Sequence, residues 1–372
     1  MRDIGIYVHI PFCVKKCDYC DFTSFGNAKE EIIYNYIKEL NNNIKDELTK
    51  EKYDVKTVYF GGGTPSYINS NYIVEILNTI KQNSIINQNA EITIEVNPGT
   101  VTKEKLQQYK NVGINRLSIG LQETHNNLLK SIGRIHSYED FLSTYNLARK
   151  TGFNNINVDL IIGLPKQSIQ DIKENLEKII NLKPEHISVY SLILEENTVL
   201  YNKYQNGKIE LPSDIQERNM YWYVKNTLEN NGFKHYEISN FSRPGLESKH
   251  NTDCWKQKEY FGFGLSAHSY IDGKRYSNEM DEKNIIYKFK KVIHEEQDTE
   301  SMKKEYMLLG LRMIDGVSIR EFKNKFSDNP IFIFRKELEK LVNEQLLKID
   351  GDRIKLTNKG LDLANIVWEE FI

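Results

Sequence analysis

The feature that most constrains the fold is a regular alternation of short β-rich runs with longer amphipathic runs over residues 4–194. Such alternation is typical of parallel strands joined by helical crossovers. The predicted strands are 4–10, 55–60, 91–96, 116–121, 155–162 and 186–194, and the predicted helices are 29–48, 72–82, 103–110, 138–150 and 169–180. Six β/α units are two fewer than a complete barrel contains. The sequence therefore predicts an α/β fold built on a partial (β/α)6 TIM-like barrel.

The chain has 372 residues, which is more than one hydrophobic core usually serves. After residue 194 the pattern becomes mixed and rich in aromatic residues, as in Tyr221-Trp222-Tyr223. From residue 303 it predicts helices at 303–313, 318–325 and 334–344, a hairpin turning at Asp350-Gly351 and a last helix, an order typical of a winged helix. We predict a barrel at 1–200, a mixed α+β extension at 201–300 that closes the barrel, and a winged-helix-like unit at 301–372.

Charge and hydropathy argue against several classes of partner. The chain has 50 basic and 52 acidic side chains, and ten of each lie between Ser318 and Ile372. This balance gives no electrostatic footprint for nucleic acid, so none is expected as a partner. No run approaches the roughly 20 apolar residues that a membrane span requires, and a strand begins directly after Met1-Arg2-Asp3. The expected location is the cytoplasm.

Three cysteines, Cys13, Cys17 and Cys20, follow the first predicted strand in a C-x-x-x-C-x-x-C pattern. Three thiolates can hold three irons of a cubane cluster and leave the fourth iron free to bind a ligand. Zinc would need a fourth ligand, and His9 is the nearest, but it precedes Pro11 in a strand expected to direct it elsewhere. A disulfide network would need an even number and an oxidising compartment, whereas Cys254 is far along the chain. The pattern favours an iron-sulfur site.

Other conspicuous residues fall at the ends of the predicted strands, where parallel barrels carry their chemistry. They are Gly61-Gly62-Gly63-Thr64-Pro65, Glu95-Val96-Asn97-Pro98, Gln122 and Gly163-Leu164-Pro165. Glycine lets the backbone approach a ligand closely, and free N–H and C=O groups suit an amino-acid-like molecule. Each residue also has a simpler interpretation: a turn for the glycines, a solvated carboxylate for Glu95, a loop amide for Gln122, a surface cation for Arg134 and a buried acceptor for Asp159.

Several strings in order along nearly the whole chain carry a family resemblance. They are Tyr7-Val8-His9-Ile10-Pro11-Phe12-Cys13, Gly61-Gly62-Gly63-Thr64-Pro65-Ser66, Glu95-Val96-Asn97-Pro98-Gly99, Asn115-Arg116-Leu117-Ser118-Ile119-Gly120-Leu121-Gln122, Asp159-Leu160-Ile161-Ile162-Gly163-Leu164-Pro165 and Tyr236-Glu237-Ile238-Ser239-Asn240-Phe241. Together they resemble the radical S-adenosylmethionine superfamily, most closely its HemW and oxygen-independent coproporphyrinogen oxidase group.

The resemblance implies that Cys13, Cys17 and Cys20 hold a 4Fe-4S cluster whose free iron chelates the amino and carboxylate groups of S-adenosylmethionine. An electron from the cluster would cleave that cofactor to a 5'-deoxyadenosyl radical. By the same likeness, Tyr19 lies against the adenine. The remaining contacts with S-adenosylmethionine are implied for Tyr7, Gly62, Gly63, Thr64, Glu95, Gln122, Arg134 and Asp159.

One departure separates the two branches of this group. The oxidases carry a further cysteine two residues after the third, where this chain has Phe22. The HemW-like form implies a haem chaperone that passes haem to acceptor proteins, some of them reached by peripheral contact with a membrane, and that needs an electron donor. The alternative is an oxygen-independent coproporphyrinogen III oxidase or another radical enzyme acting on a porphyrin-like substrate. A nucleic-acid modifier is a third possibility, which the balanced charge disfavours.

An H-N-x-x-Y-W string has been proposed to bind haem in HemW-type chains, and it is partly kept in the 201–300 extension. The chain has His250, Asn251 and Trp255, with Cys254 in place of the tyrosine. Imidazole and thiolate can both bind haem iron, so the resemblance makes His250 a candidate haem ligand. A hydrogen-bonded structural histidine and a buried thiol are the alternatives for His250 and Cys254.

Overall fold

The computed structural model describes residues 1–281 and 285–372, so residues 282–284 of the predicted extension lie outside it. The strands of the described chain are β1 Arg2–Ile10, β2 Phe12–Cys13, β3 Phe25–Gly26, β4 Tyr53–Gly62, β5 Ile85–Val96, β6 Arg116–Gln122, β7 Ile156–Ile162, β8 His186–Ser191, β9 Lys234–Glu237, β10 Asn240–Ser242, β11 Tyr260–Phe263, β12 His268–Ile271, β13 Lys274–Met280, β14 Phe289–Glu296, β15 Val317–Ser318, β16 Leu347–Asp350 and β17 Arg353–Leu356.

The helices are α1 Glu30–Leu48, α2 Ser70–Asn83, α3 Lys103–Asn111, α4 Asn126–Ser131, α5 Tyr138–Lys150, α6 Ile169–Asn181, α7 Val199–Gln205, α8 Asp214–Asn230, α9 Lys249–Trp255, α10 Thr299–Gly310, α11 Ile319–Phe326, α12 Pro330–Ile333, α13 Arg335–Asn343, α14 Asn358–Asp362 and α15 Ala364–Glu369. Several begin at a hydroxyl cap. In α5 and α6 the caps Ser137 and Ser168 exchange hydrogen bonds with an aspartate three residues on, which satisfies amides of the first turn.

Six parallel strands in sequence order, β1, β4, β5, β6, β7 and β8, form the barrel wall, and the predicted fold class is confirmed. The pleat explains which side chains line the interior. In β1 the buried residues Ile4, Ile6, Val8 and Ile10 belong to the core shared with α1, and the alternating positions, such as Tyr7, face the inside of the barrel. On each strand, therefore, only every second residue can direct its side chain into the barrel interior.

The extension forms both edges of the same sheet. Strand β11 lies parallel to β1, and β12, β13 and β14 continue outward in antiparallel order. At the other edge, β10 and β9 add antiparallel strands beside β8. Among the barrel strands, two bounds differ most from the sequence expectation. Strand β5 begins at Ile85, because Ile85 and Ile86 pair with Asp54 and Val55 of β4, and β8 ends at Ser191.

The C-terminal unit has its own hydrophobic cluster, which includes Phe322, Leu341 and Val367. Its helices flank a three-stranded antiparallel sheet in the order β15-β17-β16, and the predicted last helix is two, α14 and α15. It is tied to the extension by main-chain hydrogen bonds from Ile238 N to Arg312 O and from Ile314 N to Tyr236 O, at 3.1 and 3.0 Å. The predicted boundaries at 200 and 300 stay a prediction.

None of the helices within residues 1–281 and 285–372 combines the length and the apolar character that crossing a bilayer demands.

Candidate functional site

A cleft of about 440 Å³ opens at the carboxyl ends of the barrel strands. It brings together the three cysteines and most of the residues expected to bind a cofactor. Those that line it are Cys13, Cys17, Cys20, Tyr19, Gly62, Gly63, Thr64, Glu95, Gln122, Arg134 and Asp159. The structure thus gathers on one surface residues that are up to 146 positions apart, from Cys13 to Asp159.

The loop that carries Cys17 and Cys20 is held at both ends and in its middle. Strands β2 and β3, which flank it, pair through Phe12 with Phe25 and Cys13 with Gly26. In the middle, Asp18 accepts a 2.6 Å ion pair from Lys203, and its amide donates to Ile132 O at 3.0 Å. These contacts attach the loop to the rim of the barrel, so the cysteines are presented on a fixed frame.

The thiols have few protein partners. Thr64 Oγ1 donates to Cys13 Sγ and Arg134 Nη1 donates to Cys17 Sγ, each at 3.5 Å. Gly63 leaves space for the first thiol, because a Cβ there would lie 2.8 Å from Cys13 Sγ and 3.1 Å from Phe12 N. Burial raises the pKa of Cys13, and it raises the pKa of Cys20 to about 11. Without a bound cation both thiols are protonated, and a metal would reverse that preference.

The alternative ligands considered from the sequence are engaged elsewhere. His9 is buried, with Nδ1 3.0 Å from Tyr7 Oη and Nε2 2.9 Å from Thr23 O. Cys254 lies on α9, outside the cleft, and burial raises its pKa to about 12. In the described part of the chain, no three side chains of the histidine, cysteine, aspartate or glutamate type converge closely enough to hold a single metal ion.

Two carboxylates line the cleft: Glu95, near the end of β5, and Asp159, in the middle of β7. Glu95 accepts a 2.9 Å hydrogen bond from Tyr59 Oη, and burial, with a smaller contribution from Asp159, raises its pKa to about 7. Asp159 accepts from Asn157 Nδ2 at 2.7 Å and from Ser118 Oγ at 3.1 Å, and burial raises its pKa too. A cationic ligand in the cleft would stabilise the ionised form of both carboxyl groups.

Arg134 is the fixed cation of the cleft. Its guanidinium donates to Cys17 Sγ, to Asn97 Oδ1 at 2.8 Å and to Gly120 O. Gly120 permits this approach, because a Cβ there would lie 3.2 Å from Arg134 Nη2 and 3.0 Å from Asn97 Oδ1. Gln122, two residues on, has φ of 73°, so its amide leaves the strand direction where it lines the cleft. One cation therefore links the cysteine loop to β5 and β6.

Comparison with known proteins assigns the chain to a family. Residues 7–179 match the radical SAM superfamily model, and residues 299–363 match the HemN C-terminal domain. The chain is 37% identical to the Lactococcus lactis protein "Heme chaperone HemW" over 98% of this chain and 96% of that one, and 36% identical to the Bacillus subtilis protein of the same name over 98% of each. The chain belongs to the HemW family of the radical SAM superfamily. Membership of this superfamily implies a 4Fe-4S cluster and S-adenosylmethionine.

The fold of this HemW-family chain is also that of a solved structure. Coproporphyrinogen III oxidase (HemN) from Escherichia coli matches with a TM-score of 0.84 over 100% of this chain and 90% of that one, at 23% identity. At that identity the match speaks for the fold alone. Phe22, which replaces the oxidase-type cysteine, lines the cleft with 64% of its surface exposed.

Two residues expected to bind cofactors in a HemW-like chain do not line the cleft. Tyr7 and His250 stack with Tyr59 inside the barrel, with ring centroids 6.2 Å apart for Tyr7 and Tyr59 and 5.3 Å for Tyr59 and His250. His250 is 7% exposed, its Nδ1 lies 2.8 Å from Thr57 Oγ1, and burial lowers its pKa to about 4. His250, the residue expected to bind haem, is therefore an enclosed histidine with a hydrogen bond to Thr57.

Sequence reasoning gave no role to several residues that line the cleft, namely Tyr59, Asn97, Ser118 and Tyr190. Ser118 could have been found from the pleat, because it has the same parity in β6 as Gly120 and Gln122. Arg116, which shares that parity, is one of the largest fully buried side chains. The strings quoted for the HemW-type resemblance contain all of β6, but only alternation separates its inward residues from its outward ones.

Proposed function

We propose that this protein is a haem chaperone that binds a 4Fe-4S cluster and S-adenosylmethionine in the cleft and passes haem to acceptor proteins. The observation that carries the proposal is its similarity, over nearly its whole length, to proteins named "Heme chaperone HemW". Phe22, where an oxidase would have a cysteine, supports the same choice. The cluster requires an electron donor, and the reducing cytoplasm suits its thiols.

The arrangement of the thiols supports the cluster. In a cubane each thiolate binds a different iron, so the ligands stand around the cluster and need not converge on one point. Cys13, Cys17 and Cys20 line one cleft from a loop fixed at Asp18, and Gly63 leaves room beside Cys13. The proposed ligands are therefore these three thiols, with the fourth iron directed at the open cleft.

The charges of the cleft support S-adenosylmethionine, which has a cationic sulfonium, an amino group and a carboxylate. When bound, the cluster supplies the electron that breaks a carbon–sulfur bond of this cofactor. The protein's part is to bind and to orient. Glu95 and Asp159 offer acceptors to the cationic groups, Arg134 offers donors, and the backbone at Gly62 and Gly63 can approach the ligand closely. Thr64, Gln122 and Tyr19 complete the proposed lining.

Haem itself is proposed as cargo without an assigned iron ligand. His250 is left out, because its ring is enclosed by two tyrosines and its Nδ1 is bonded to Thr57. The proposed partners are haem-accepting proteins, reached in some cases by peripheral contact at a membrane.

The test is anaerobic reconstitution of the wild type, Cys17→Ser and the matched control Cys254→Ser, followed by haem titration and transfer to an apo-acceptor. Iron content, visible absorption and haem stoichiometry are recorded. We expect the wild type and Cys254→Ser to bind the cluster and transfer haem, and Cys17→Ser to lose the cluster.

A parallel incubation with S-adenosylmethionine, a reductant and coproporphyrinogen tests the oxidase alternative. Formation of protoporphyrinogen in proportion to 5'-deoxyadenosine would overturn the chaperone proposal. So would a failure of the cluster-loaded wild type to take up haem.

A further inference from the structure

A continuous chain of hydrogen bonds runs from the cleft through the barrel interior to the extension. It begins at Asp159, which accepts from Asn157 Nδ2 at 2.7 Å. Asn157 Oδ1 lies 2.7 Å from His186 Nδ1, and His186 Nε2 lies 2.7 Å from Tyr236 Oη. Tyr236 Oη accepts from the amide of Ser248 at 3.3 Å. Three side chains, those of Asn157, His186 and Tyr236, therefore connect a cleft carboxylate to Ser248, where the segment that carries α9 begins.

The chemistry of these groups fixes the direction of every bond. The proposed function needs Asp159 as an ionised acceptor, and opposite such a carboxylate the amide of Asn157 turns its NH2 to Asp159; Nδ2 also donates to Ser118 Oγ at 2.7 Å. Its Oδ1 then faces His186, so the proton of that ring lies on Nδ1. His186 is fully buried, and burial holds its pKa well below the ordinary value, so the ring is neutral and Nε2 accepts from Tyr236.

Both oxygens of Asp159 are thereby assigned. Oδ1 accepts from Asn157 and Oδ2 accepts from Ser118, whose hydroxyl is itself a hydrogen-bond acceptor for Asn157. Together with a further hydrogen bond from the side chain of Ser188, these bonds set the plane of the carboxyl group. Ser188 Oγ lies 3.1 Å from Asn157 Oδ1 and also within hydrogen-bond reach of Asp159, so it belongs to the same network.

The far end of the chain is tied to the C-terminal unit. Tyr236 O accepts the amide of Ile314 at 3.0 Å, and the next residue, Glu237, forms a β-bridge with Met313. The backbone around Tyr236 is therefore bonded to the C-terminal unit, while the hydroxyl of the same residue is bonded to the neutral ring of His186.

We infer that His186 and Tyr236 are positioning residues for Asp159, and that through this one-directional chain they hold the carboxylate in the orientation in which it meets S-adenosylmethionine. The inference rests on the proposed function, since the contact between Asp159 and S-adenosylmethionine is part of it. Neither His186 nor Tyr236 lines the cleft, so any effect they have on the cofactor passes through other residues.

The test is a double-mutant cycle on the affinity of the cluster-loaded protein for S-adenosylmethionine. Tyr236→Phe removes one hydroxyl and keeps the ring, and we expect it to weaken binding about fivefold, the usual effect of one hydrogen bond. Tyr109→Phe is the matched control, because the hydroxyl of Tyr109 is buried and has no hydrogen-bond partner within residues 1–281 and 285–372. It should leave the affinity unchanged.

The decisive variant is Tyr236→Phe combined with Asp159→Asn. If Tyr236 acts through Asp159, the double variant binds S-adenosylmethionine as Asp159→Asn alone does. If the two effects multiply, Tyr236 acts only on the fold and the inference is overturned. An unchanged affinity in Tyr236→Phe would overturn it as well.

A second readout does not depend on the cofactor. Nitrogen-15 histidine spectra of the cluster-loaded protein, assigned with His186→Gln, should show His186 neutral with its proton on Nδ1. A proton on Nε2 would reverse the chain and overturn the inference. If the wild type carries its cluster yet binds no S-adenosylmethionine, the proposed function fails, and with it the positioning role, while the histidine spectrum still shows whether the chain of bonds exists.

Discussion

The cleft and the aromatic stack next to it share Tyr59 but differ in what their other residues have left to bind. In the stack, the rings of Tyr7, Tyr59 and His250 cover one another, and His250 bonds Thr57. In the cleft, the thiols of Cys13 and Cys17 accept long hydrogen bonds of 3.5 Å from Thr64 and Arg134. Residue type alone does not separate a binding group from a structural one, because unused bonding capacity facing open space is what distinguishes them.

The largest expected effect comes from replacing cysteines inside the cleft with serine and comparing them with the same replacement outside it. Serine at Cys13, Cys17 or Cys20 should abolish retention of the iron-sulfur cluster, because a hydroxyl is a poor substitute for a thiolate ligand. Cys254→Ser is the matched control and should keep the full iron content, because Cys254 lies outside the cleft. Iron and sulfide analysis after anaerobic reconstitution measures the effect. Equal iron loss in Cys254→Ser would contradict the assignment.

The space beside the first thiol can be tested by adding one methyl group. In Gly63→Ala the new Cβ would lie 2.8 Å from Cys13 Sγ and close to the backbone of Phe12, so we expect partial loss of iron and a lower free energy of unfolding by about 3 kcal/mol. Gly26→Ala, in the paired strand, would meet only ordinary contacts at 3.6 Å and is the control. Chemical denaturation and iron analysis compare them. Equal iron content and equal stability of the two variants would show that the space beside Cys13 does not depend on Gly63.

The buried carboxyl group of Glu95 should make the free energy of unfolding depend on pH. Because folding raises its pKa to about 7, Glu95 favours the folded state below its unfolded pKa, near 4.5, and that contribution is lost as the pH rises through 7. Glu95→Gln should therefore be more stable than the wild type at pH 8, by at most about 3 kcal/mol, and the difference should shrink toward pH 5. Unfolding of the protein free of S-adenosylmethionine, followed from pH 5 to 8.5, measures it. A constant difference across that range would contradict the assigned cause.

The smallest expected effect belongs to the aromatic stack. His250→Gln loses a stacked ring and one buried hydrogen bond, so it should lower the free energy of unfolding by about 1 to 2 kcal/mol. It should leave the iron content and the visible spectrum of bound haem unchanged. Thermal denaturation and haem titration together check this. A changed haem spectrum in a folded His250→Gln protein would return the histidine to the list of haem ligands.

The barrel could be predicted from the sequence because each of its strands is a short apolar run followed by an amphipathic helix. The 4–10 run, for example, became β1 with its even-numbered residues in the core. The start of β5 could not be predicted, since Ile85 and Ile86 pair with β4 only in the folded sheet and polar residues such as Asn87 and Asn89, which do not have strand character, separate them from the rest of the strand. The pairing of β11 with β1 and of β10 with β8 could not be predicted either. It depends on which barrel strands have a free edge, and no local sequence pattern encodes that.

The cleft was predictable where residues follow a strand directly, as Cys13, Gly63 and Glu95 do. Tyr59 and Ser118 were missed, although strand parity offered a signal for Ser118, and the enclosure of His250 was not predictable. A family string marks which residues occur together, but it does not say which of them face a ligand. Only the packing of α9 against the barrel places His250 away from the cleft.

The central claim is that three thiols hold a cluster with one iron open to the cleft, where S-adenosylmethionine binds. Electron paramagnetic resonance of the reduced, reconstituted wild type, recorded with and without S-adenosylmethionine, tests it most directly. We predict the signal of a reduced 4Fe-4S cluster whose g-values shift when S-adenosylmethionine is added, and the shift in Asp159→Asn should need a higher concentration of S-adenosylmethionine than in the wild type. Zinc in place of iron, or a cluster signal that S-adenosylmethionine leaves unchanged in the wild type, would contradict the claim.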